Sequence, residues 1–163
     1  MTSPASTTAA PADTELIARW QGGDERAATL LVERHAPAVA RFVASLGARV
    51  EADEVMQDTF VRAFGSLDAF RGESSLRTWL FTIARRLVLD RRRAQRRRGE
   101  DATIDEADAA TEYDALDGMV ADETQARLQG ALARLTPTQR EVFLLRVNEG
   151  LSYKEIAEVA GTT

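Results

Sequence analysis

The sequence contains no cysteine and only one histidine, His35, among its 163 residues. The chain therefore forms no disulfide and no thiolate metal site, and a lone imidazole argues against a histidine-based metal site or catalytic dyad. No apolar run approaches about 18 residues, so we expect no membrane insertion. Residues 1–13 are rich in Ser, Thr, Ala and Pro and lack the basic start and apolar stretch of a secretory signal. They predict a disordered lead-in to a cytoplasmic protein.

Lysine and arginine are absent from one long stretch, residues 99–125, which holds ten acidic residues. Residues 1–98 carry 16 arginines against 12 acidic residues, and 126–163 carry 5 basic against 4 acidic residues. The net charge of −5 therefore conceals a basic part and a near-neutral part joined by an acidic connector. Segregated charge of this kind remains compatible with nucleic-acid binding.

Helical periodicity is present almost everywhere, and no convincing strand pattern accompanies it. A short first helix is predicted to end at Gly22, and Asp24 can cap a second helix. Pro37 lies inside this second helix, where we expect a kink. His35 lies on its apolar side, which indicates a packed, hydrogen-bonded histidine.

A third helix is predicted over 52–67, with one apolar and one polar face. The apolar face consists of Val55, Met56, Phe60, Ala63, Phe64 and Leu67. The polar face consists of Asp53, Glu54, Gln57, Asp58, Val61 and Arg62. Paired carboxylates can serve acid–base catalysis or a divalent cation. Because no phosphate loop, nucleophile motif or metal spacing accompanies them, an acidic outer helix face is the commoner interpretation.

Arginine is concentrated in a predicted fourth helix, which follows a cap at Ser74 or Ser75 and runs to about Arg98. Eight of the residues in 85–98 are arginines. A helical wheel gives a core stripe of Leu76, Leu80, Ile83 and Leu87, an opposite stripe of Arg85, Arg92 and Arg96, and a third stripe of Arg86, Arg93 and Arg97 beside Trp79. Phe81 also falls away from the core stripe.

This combination favours nucleic acid, because arginine pairs with phosphates and aromatic rings stack on unpaired bases. Two alternatives stay open at this point. The arginines can form a solvated helix end facing the acidic connector, and Trp79 can belong to the core.

Two capping boxes mark helices in the C-terminal part. One opens at Thr136 with proline in the first helical position, and the other is Ser152-Tyr153-Lys154-Glu155. Before them, Leu128, Ala131, Leu132 and Leu135 predict one apolar stripe. A glycine, Gly161, follows the last helix. This order fits a helix-turn-helix, a moderately specific pattern because any helical hairpin resembles it.

Three stretches carry a family resemblance: LIARWQGGDERAATLLVERH (16–35), ADEVMQDTFVRAFGSLDAFRGESSLRTWLFTIARRLVLDRRR (52–93) and LARLTPTQREVFLLRVNEGLSYKEIAEVAG (132–161). With the acidic connector, they resemble the extracytoplasmic-function (ECF) sigma factors. The resemblance implies an all-α protein of two small helical domains joined by an acidic flexible linker. Its parts would be a lead-in (1–13), region 2 (14–98), the linker (99–124) and a C-terminally truncated region 4 helix-turn-helix (125–163).

The resemblance implies a factor, not an enzyme, that binds core RNA polymerase, recognises promoter DNA and nucleates opening of the −10 element. It implies polymerase binding, on a coiled coil of the largest subunit, by Asp53, Glu54, Gln57, Asp58 and Val61. It implies −10 binding by Arg71, Ser74, Ser75, Arg77, Trp79, Thr82, Arg85, Arg86, Arg92 and Arg93. The helix-turn-helix residues would be Ser152, Tyr153, Lys154, Glu155 and Gly161. An anti-sigma factor is an implied partner, and no cofactor is implied.

The sequence departs from the family pattern in two places. Many members carry an asparagine, associated with a flipped promoter base, where Arg86 stands, and this leaves the −10 sequence open. In the family, the recognition helix follows the turn that Gly161 would form, and the sequence ends at Thr163. We therefore expect this form not to recognise a −35 element. The alternative function is a standalone helical DNA-binding regulator, which would ignore core polymerase.

Overall fold

A computed structural model describes residues 10–99 and 122–162. In these two ranges the regular structure is helical throughout, as the sequence predicts. The helices are α1 (Asp13–Gln21), α2 (Glu25–Ser45), α3 (Ala52–Gly65), α4 (Leu76–Arg97), α5 (Asp122–Ala133), α6 (Pro137–Val147) and α7 (Tyr153–Ala160), with a short 3₁₀ turn at Leu67–Ala69. None of these described helices is both long enough and apolar enough for a membrane span. Most of the predicted lead-in and of the acidic linker lies outside the described residues.

The chain divides into two compact units, one ending at Ala36 and the other beginning at Pro37. The division falls inside α2, which stays helical on both sides of the proline. At the N-terminal end of this helix, the Asp24 carboxylate accepts a hydrogen bond from the backbone N–H of Arg26 at 3.0 Å. The predicted cap is therefore confirmed.

In the first unit, α1 buries Leu16 and Ile17. His35 is buried as well, and its Nε2 lies 2.8 Å from a carboxylate oxygen of Asp13. The other oxygen of Asp13 pairs with Arg34 at 2.6 Å. The prediction of a packed, hydrogen-bonded histidine is confirmed.

In the second unit, α4 is central because it packs against both α3 and α7, and α6 packs against α7. The predicted apolar face of α3 is buried at Val55, Phe60 and Ala63. Thr59 is buried beside them, and its hydroxyl donates to the carbonyl of Val55 at 2.7 Å. This local bond satisfies the hydroxyl, so a polar residue is accommodated in the core.

The prediction that Phe81 lies away from the core is wrong. Phe81 is completely buried, and its ring centroid lies 4.8 Å from that of Phe42. The helical wheel assumed one packing partner for α4, whereas α4 is covered by more than one helix. Ala84 and Val88 are therefore buried along with Phe81, in addition to most of the predicted stripe.

The last two helices, α6 and α7, begin as the sequence predicts. Thr136 and Ser152 each form a complete capping box, and Gly161 adopts a left-handed conformation with φ of 70° after α7. The apolar stripe predicted for α5 is only partly correct. Leu132 is buried, but Leu128 is 38% exposed, because α5 makes few packing contacts along this part of its length.

Candidate functional site

The polar face of α3 is open to solvent, as predicted. Asp53, Glu54 and Gln57 are exposed, Asp58 is half-buried, and Val61 is 71% exposed. An exposed apolar side chain on the same helix face as carboxylates is a common arrangement for a protein-binding surface, because charge steers the partner and the apolar residue contributes affinity. We call these five residues the α3 face.

Arg91, from α4, organises the carboxylates of this region. Its guanidinium lies 2.7 Å from Asp58, 3.1 Å from Glu54 and 3.6 Å from Glu51. The hydrogen bond to Glu54 contributes most to raising the pKa of Arg91 above its ordinary value. The sequence analysis placed Arg91 in no role, since 33 residues separate it from Asp58. It holds two carboxylates of the α3 face in fixed positions.

The loop before α4 ends at Ser75, whose hydroxyl accepts the backbone N–H of Thr78 at 3.1 Å. Of the two predicted caps, Ser75 is therefore the one used. Trp79 is half-buried, and its ring lies 5.1 Å from the ring of Phe70. This contact holds the indole against the loop while one part of it stays accessible.

Arg85 points toward the C-terminal helices and pairs there with Glu141 of α6, with Nε 2.6 Å from the carboxylate. Glu141 is only 9% exposed. Arg92 is half-buried nearby, and burial, followed by repulsion from Arg96, lowers its pKa. The predicted stripe opposite the core is therefore partly covered.

Arg77 and Thr78 meet the same group of helices about two turns earlier on α4. Arg77 donates to the backbone carbonyl of Glu149 and lies 3.8 Å from its carboxylate. Glu149 is 7% exposed and also pairs with Arg41 at 3.4 Å. The buried hydroxyl of Thr78 donates to Glu155 at 3.2 Å.

The remaining predicted −10 residues differ in exposure. Arg71, Arg86 and Arg93 are exposed, and Ser74 and Thr82 are half-buried. Arg93 lies 3.5 Å from Asp90. Arg86 of α4 is thus open to solvent, in contrast to Arg77 and Arg85, which pair with the C-terminal helices.

The predicted helix-turn-helix residues serve mainly to start and stop α7. The backbone and hydroxyl of Ser152 donate to Glu155 and lower the pKa of that carboxyl. Tyr153 is 71% exposed, with the Arg146 guanidinium 5.2 Å from its ring centroid, and Lys154 is exposed.

The sequence analysis missed Glu141 and Glu149 as functional candidates. One signal was available for Glu141. It lies four residues before the fully buried Leu145, so it shares the apolar face of α6. A carboxylate at such a position requires a cationic partner, which the sequence alone does not identify.

Among the described residues, no group of three or more His, Asp or Glu side chains is arranged to hold a metal ion. Two family models match the chain: Sigma-70 region 2 over residues 31–98, and Sigma-70, region 4 over residues 125–163. The first covers α3 and α4, and the second covers α6 and α7.

Individual relatives show to which group of sigma-70 proteins the chain belongs. The ECF RNA polymerase sigma-E factor of Haemophilus influenzae is 33% identical over 156 residues, which cover 90% of this chain and 82% of the relative. The sigma-E factor of Escherichia coli K12 gives the same identity and coverage. The chain therefore belongs to the ECF sigma factors of RNA polymerase. This family points to a regulatory, non-catalytic role in transcription initiation.

Two solved structures resemble this chain over most of its length. CnrH, in complex with the cytosolic domain of CnrY, has a TM-score of 0.62 and 32% identity, covering 94% of this chain and 85% of that one. The sigma factor RpoE from Bartonella quintana, in complex with the anti-sigma factor NepR, has a TM-score of 0.61 and 25% identity, covering 83% of each chain.

Proposed function

We propose that this sigma factor uses the α3 face to bind core RNA polymerase, and the loop at 70–75 with α4 to contact and open the −10 element. It acts in the cytoplasm as a binding protein without catalytic turnover. The polymerase site would be a coiled coil of the largest subunit, as the family resemblance implies. The alternative of a standalone regulator is not favoured, because the sigma models for region 2 and region 4 both match.

The exposure of Val61 is the observation that carries the polymerase site. A valine that is 71% exposed contributes little to the fold, and Val61 follows, about one and two turns later on α3, the two carboxylates that Arg91 holds, Asp58 and Glu54. Burial of such a residue at the centre of an interface, with charged groups at the rim, is the arrangement in which one side chain contributes much of the affinity.

The test is Val61→Glu, with binding to purified core polymerase measured by fluorescence anisotropy of the labelled factor. We expect affinity to fall by about 2 kcal/mol or more, because a charge replaces an apolar contact at the centre of the interface. The matched control is Val50→Glu, which makes the same change at a valine that is 100% exposed and lies outside α3.

Both variants are expected to keep the helical content and melting temperature of the parent, since neither valine is buried. Equal affinities for Val61→Glu and the parent would contradict the assignment of the α3 face. A loss that is equal in the two variants would indicate a general effect of added negative charge.

For the promoter, we propose contacts by the −10 residues listed above, with Trp79 as a stacking surface and the open arginines Arg86 and Arg93 on the phosphates. Arg86 carries no amide with which to hold a flipped base as asparagine does. The −10 sequence of this factor is therefore expected to differ from that of asparagine-bearing members.

An anti-sigma factor is the proposed regulator. One solved neighbour, the sigma factor RpoE, is bound to the anti-sigma factor NepR, and the other, CnrH, is bound to the cytosolic domain of CnrY. A partner that covers the α3 face would compete directly with polymerase. Its competition for the labelled factor is measurable in the same anisotropy experiment.

A further inference from the structure

Three carboxylates at the start of α3 follow one another along a single side of the helix. They belong to Glu51, Glu54 and Asp58, which are spaced three and four residues apart. Like charges at this spacing repel each other, so without a counter-charge the three side chains would spread apart into solvent. A surface formed by them alone would present its charges in many different arrangements.

Arg91 of α4 supplies the counter-charge to this row of carboxylates. Its Nη2 lies 2.7 Å from Oδ2 of Asp58 and 3.1 Å from Oε1 of Glu54, and its Nη1 lies 3.6 Å from Oε2 of Glu51. One turn later on α4, the side-chain amide of Gln95 donates to the other oxygen of Glu51 at 3.3 Å. Two residues of α4 together hold the three carboxylates.

The guanidinium of this arginine is more covered than the groups that it holds. The side chain of Arg91 is 24% exposed, whereas those of Asp58 and Glu54 are 47% and 68% exposed. The shortest contacts use one oxygen of each of these two carboxylates, which leaves the second oxygen for a partner. Arg91 therefore orders the carboxylates without standing between them and a protein that approaches the α3 face.

We propose that Arg91 is a positioning residue for polymerase binding, which fixes Glu54 and Asp58 in the arrangement that polymerase meets and so slows dissociation of the complex. The proposal rests on the proposed role of the α3 face in binding core polymerase. Carboxylates that are already ordered in the free protein lose less side-chain entropy on binding than mobile ones. Among variants of one interface, most differences in affinity appear in the dissociation rate.

The positioning depends on the shape of the guanidinium as well as on its charge. Its planar fork directs Nη1 toward Glu51 and Nη2 toward Glu54 and Asp58 at the same time. A lysine ammonium is a compact point charge on a flexible stem and lacks this fork. Arg91→Lys therefore keeps the charge and removes the positioning, whereas Arg91→Met removes both.

The test compares these two variants with the parent in the full chain. Binding to purified core polymerase is followed by stopped-flow anisotropy of the labelled factor, and dissociation by a chase with unlabelled factor. We expect both variants to dissociate about tenfold faster, because two more side chains must be ordered on binding. Arg91→Lys should associate at the rate of the parent. Arg91→Met should associate about threefold faster at low salt, because a cation beside the acidic surface is removed.

An unchanged dissociation rate in Arg91→Lys would overturn the proposal, because the arginine would then act through its charge alone. The dissociation rate constant concerns only complexes that have already formed, so a variant that is partly unfolded still gives a valid value. The matched control is Arg97→Met, which removes an exposed cation from the last turn of the same helix. Equal acceleration in Arg97→Met and Arg91→Met also contradicts the positioning role.

A double-mutant cycle with Asp58→Asn shows whether Arg91 acts through the carboxylates. If it does, the accelerations caused by Arg91→Lys and Asp58→Asn combine to less than their product, because both variants break the same contact. Accelerations that multiply in full would place the action of Arg91 elsewhere and reject the proposal.

Val61→Glu distinguishes the failure of this proposal from the failure of the proposed function. If Val61→Glu weakens binding while Arg91→Lys leaves the dissociation rate unchanged, the α3 face binds polymerase and only the positioning role is wrong. If both variants bind like the parent, the α3 face is not the polymerase site and both proposals fail.

Discussion

The α3 face and the first half of α4 are both charged helix surfaces of region 2, but their partners come from different places. The carboxylates of α3 are held by Arg91 from within region 2, and Glu54 remains 68% exposed. The arginines of α4 are held by region 4, and their partner Glu141 is 9% exposed.

The difference shows that the sign of a charged face does not tell whether the face is available. An arginine from the same domain pairs with the carboxylates of α3 and leaves them accessible. Glutamates from the other domain cover the arginines of α4. A large exposed fraction of the paired side chains indicates an accessible charged face, and a small fraction indicates a covered one.

The largest expected effect concerns the buried side of α4. Phe81→Ala is expected to destabilise the protein by about 3–5 kcal/mol, because it leaves a cavity against Phe42. Urea unfolding followed by circular dichroism measures the change. The comparison predicts that Val61→Ala, on the open α3 face, changes stability by less than about 0.5 kcal/mol. Similar losses in the two variants would contradict the contrast between the helices.

An intermediate effect is expected at Trp79, which is half-buried against Phe70. Trp79→Ala should weaken −10 opening by the holoenzyme by about 1–3 kcal/mol, the value of one base stacked on an aromatic ring. Opening is measured with 2-aminopurine in the −10 non-template strand. Trp79→Phe keeps a stacking surface and should restore most of the signal.

Thermal melting of Trp79→Ala shows whether the indole belongs to the core or to the exposed surface. A drop in melting temperature as large as that of Phe81→Ala, with opening unchanged by Trp79→Phe, would assign the indole to the core. A small drop with impaired opening would assign it to the exposed surface.

The smallest expected effect separates the two capping boxes of region 4. Thr136→Ala and Ser152→Ala each remove one cap, at a cost of about 1 kcal/mol. Glu155 of the second box also accepts from Thr78 of α4. With spin labels at the exposed positions of Asp68→Cys in region 2 and Arg134→Cys in region 4, Ser152→Ala should therefore broaden the measured distance distribution, whereas Thr136→Ala should leave it narrow. Equal broadening in both variants would contradict a special role for the second box.

Local features of this fold could be predicted from the sequence, because their signals lie within one helical turn. The capping boxes at Thr136 and Ser152 follow from residues spaced three apart, and both form as expected. The cap of α4 is Ser75, one of the two serines that the sequence offers. The exposure of the α3 face also follows from periodicity alone. For these features, the interacting residues are the same near neighbours in sequence that form the pattern.

The remaining features depend on partners far away in the chain. Arg85 and Glu141 are 56 residues apart, and Arg77 and Glu149 are 72 apart. A helical wheel cannot place them together, and it assigned Phe81 to the wrong side because it allowed α4 only one neighbour. The pairing of Arg77 and Arg85 therefore required the tertiary structure.

Arg140 connects α6 to the end of α5 and thereby transmits force between these helices. This buried arginine donates to the backbone carbonyls of Leu132 and Leu135, at the end of α5 and just beyond it, at 3.2 and 3.4 Å. The next residue, Glu141, holds Arg85. Force applied to α5 therefore passes through the hydrogen bonds of Arg140 to its neighbour Glu141, and from there to Arg85 on α4. A partner that pulls on α5 would therefore load the ion pair between Glu141 and Arg85.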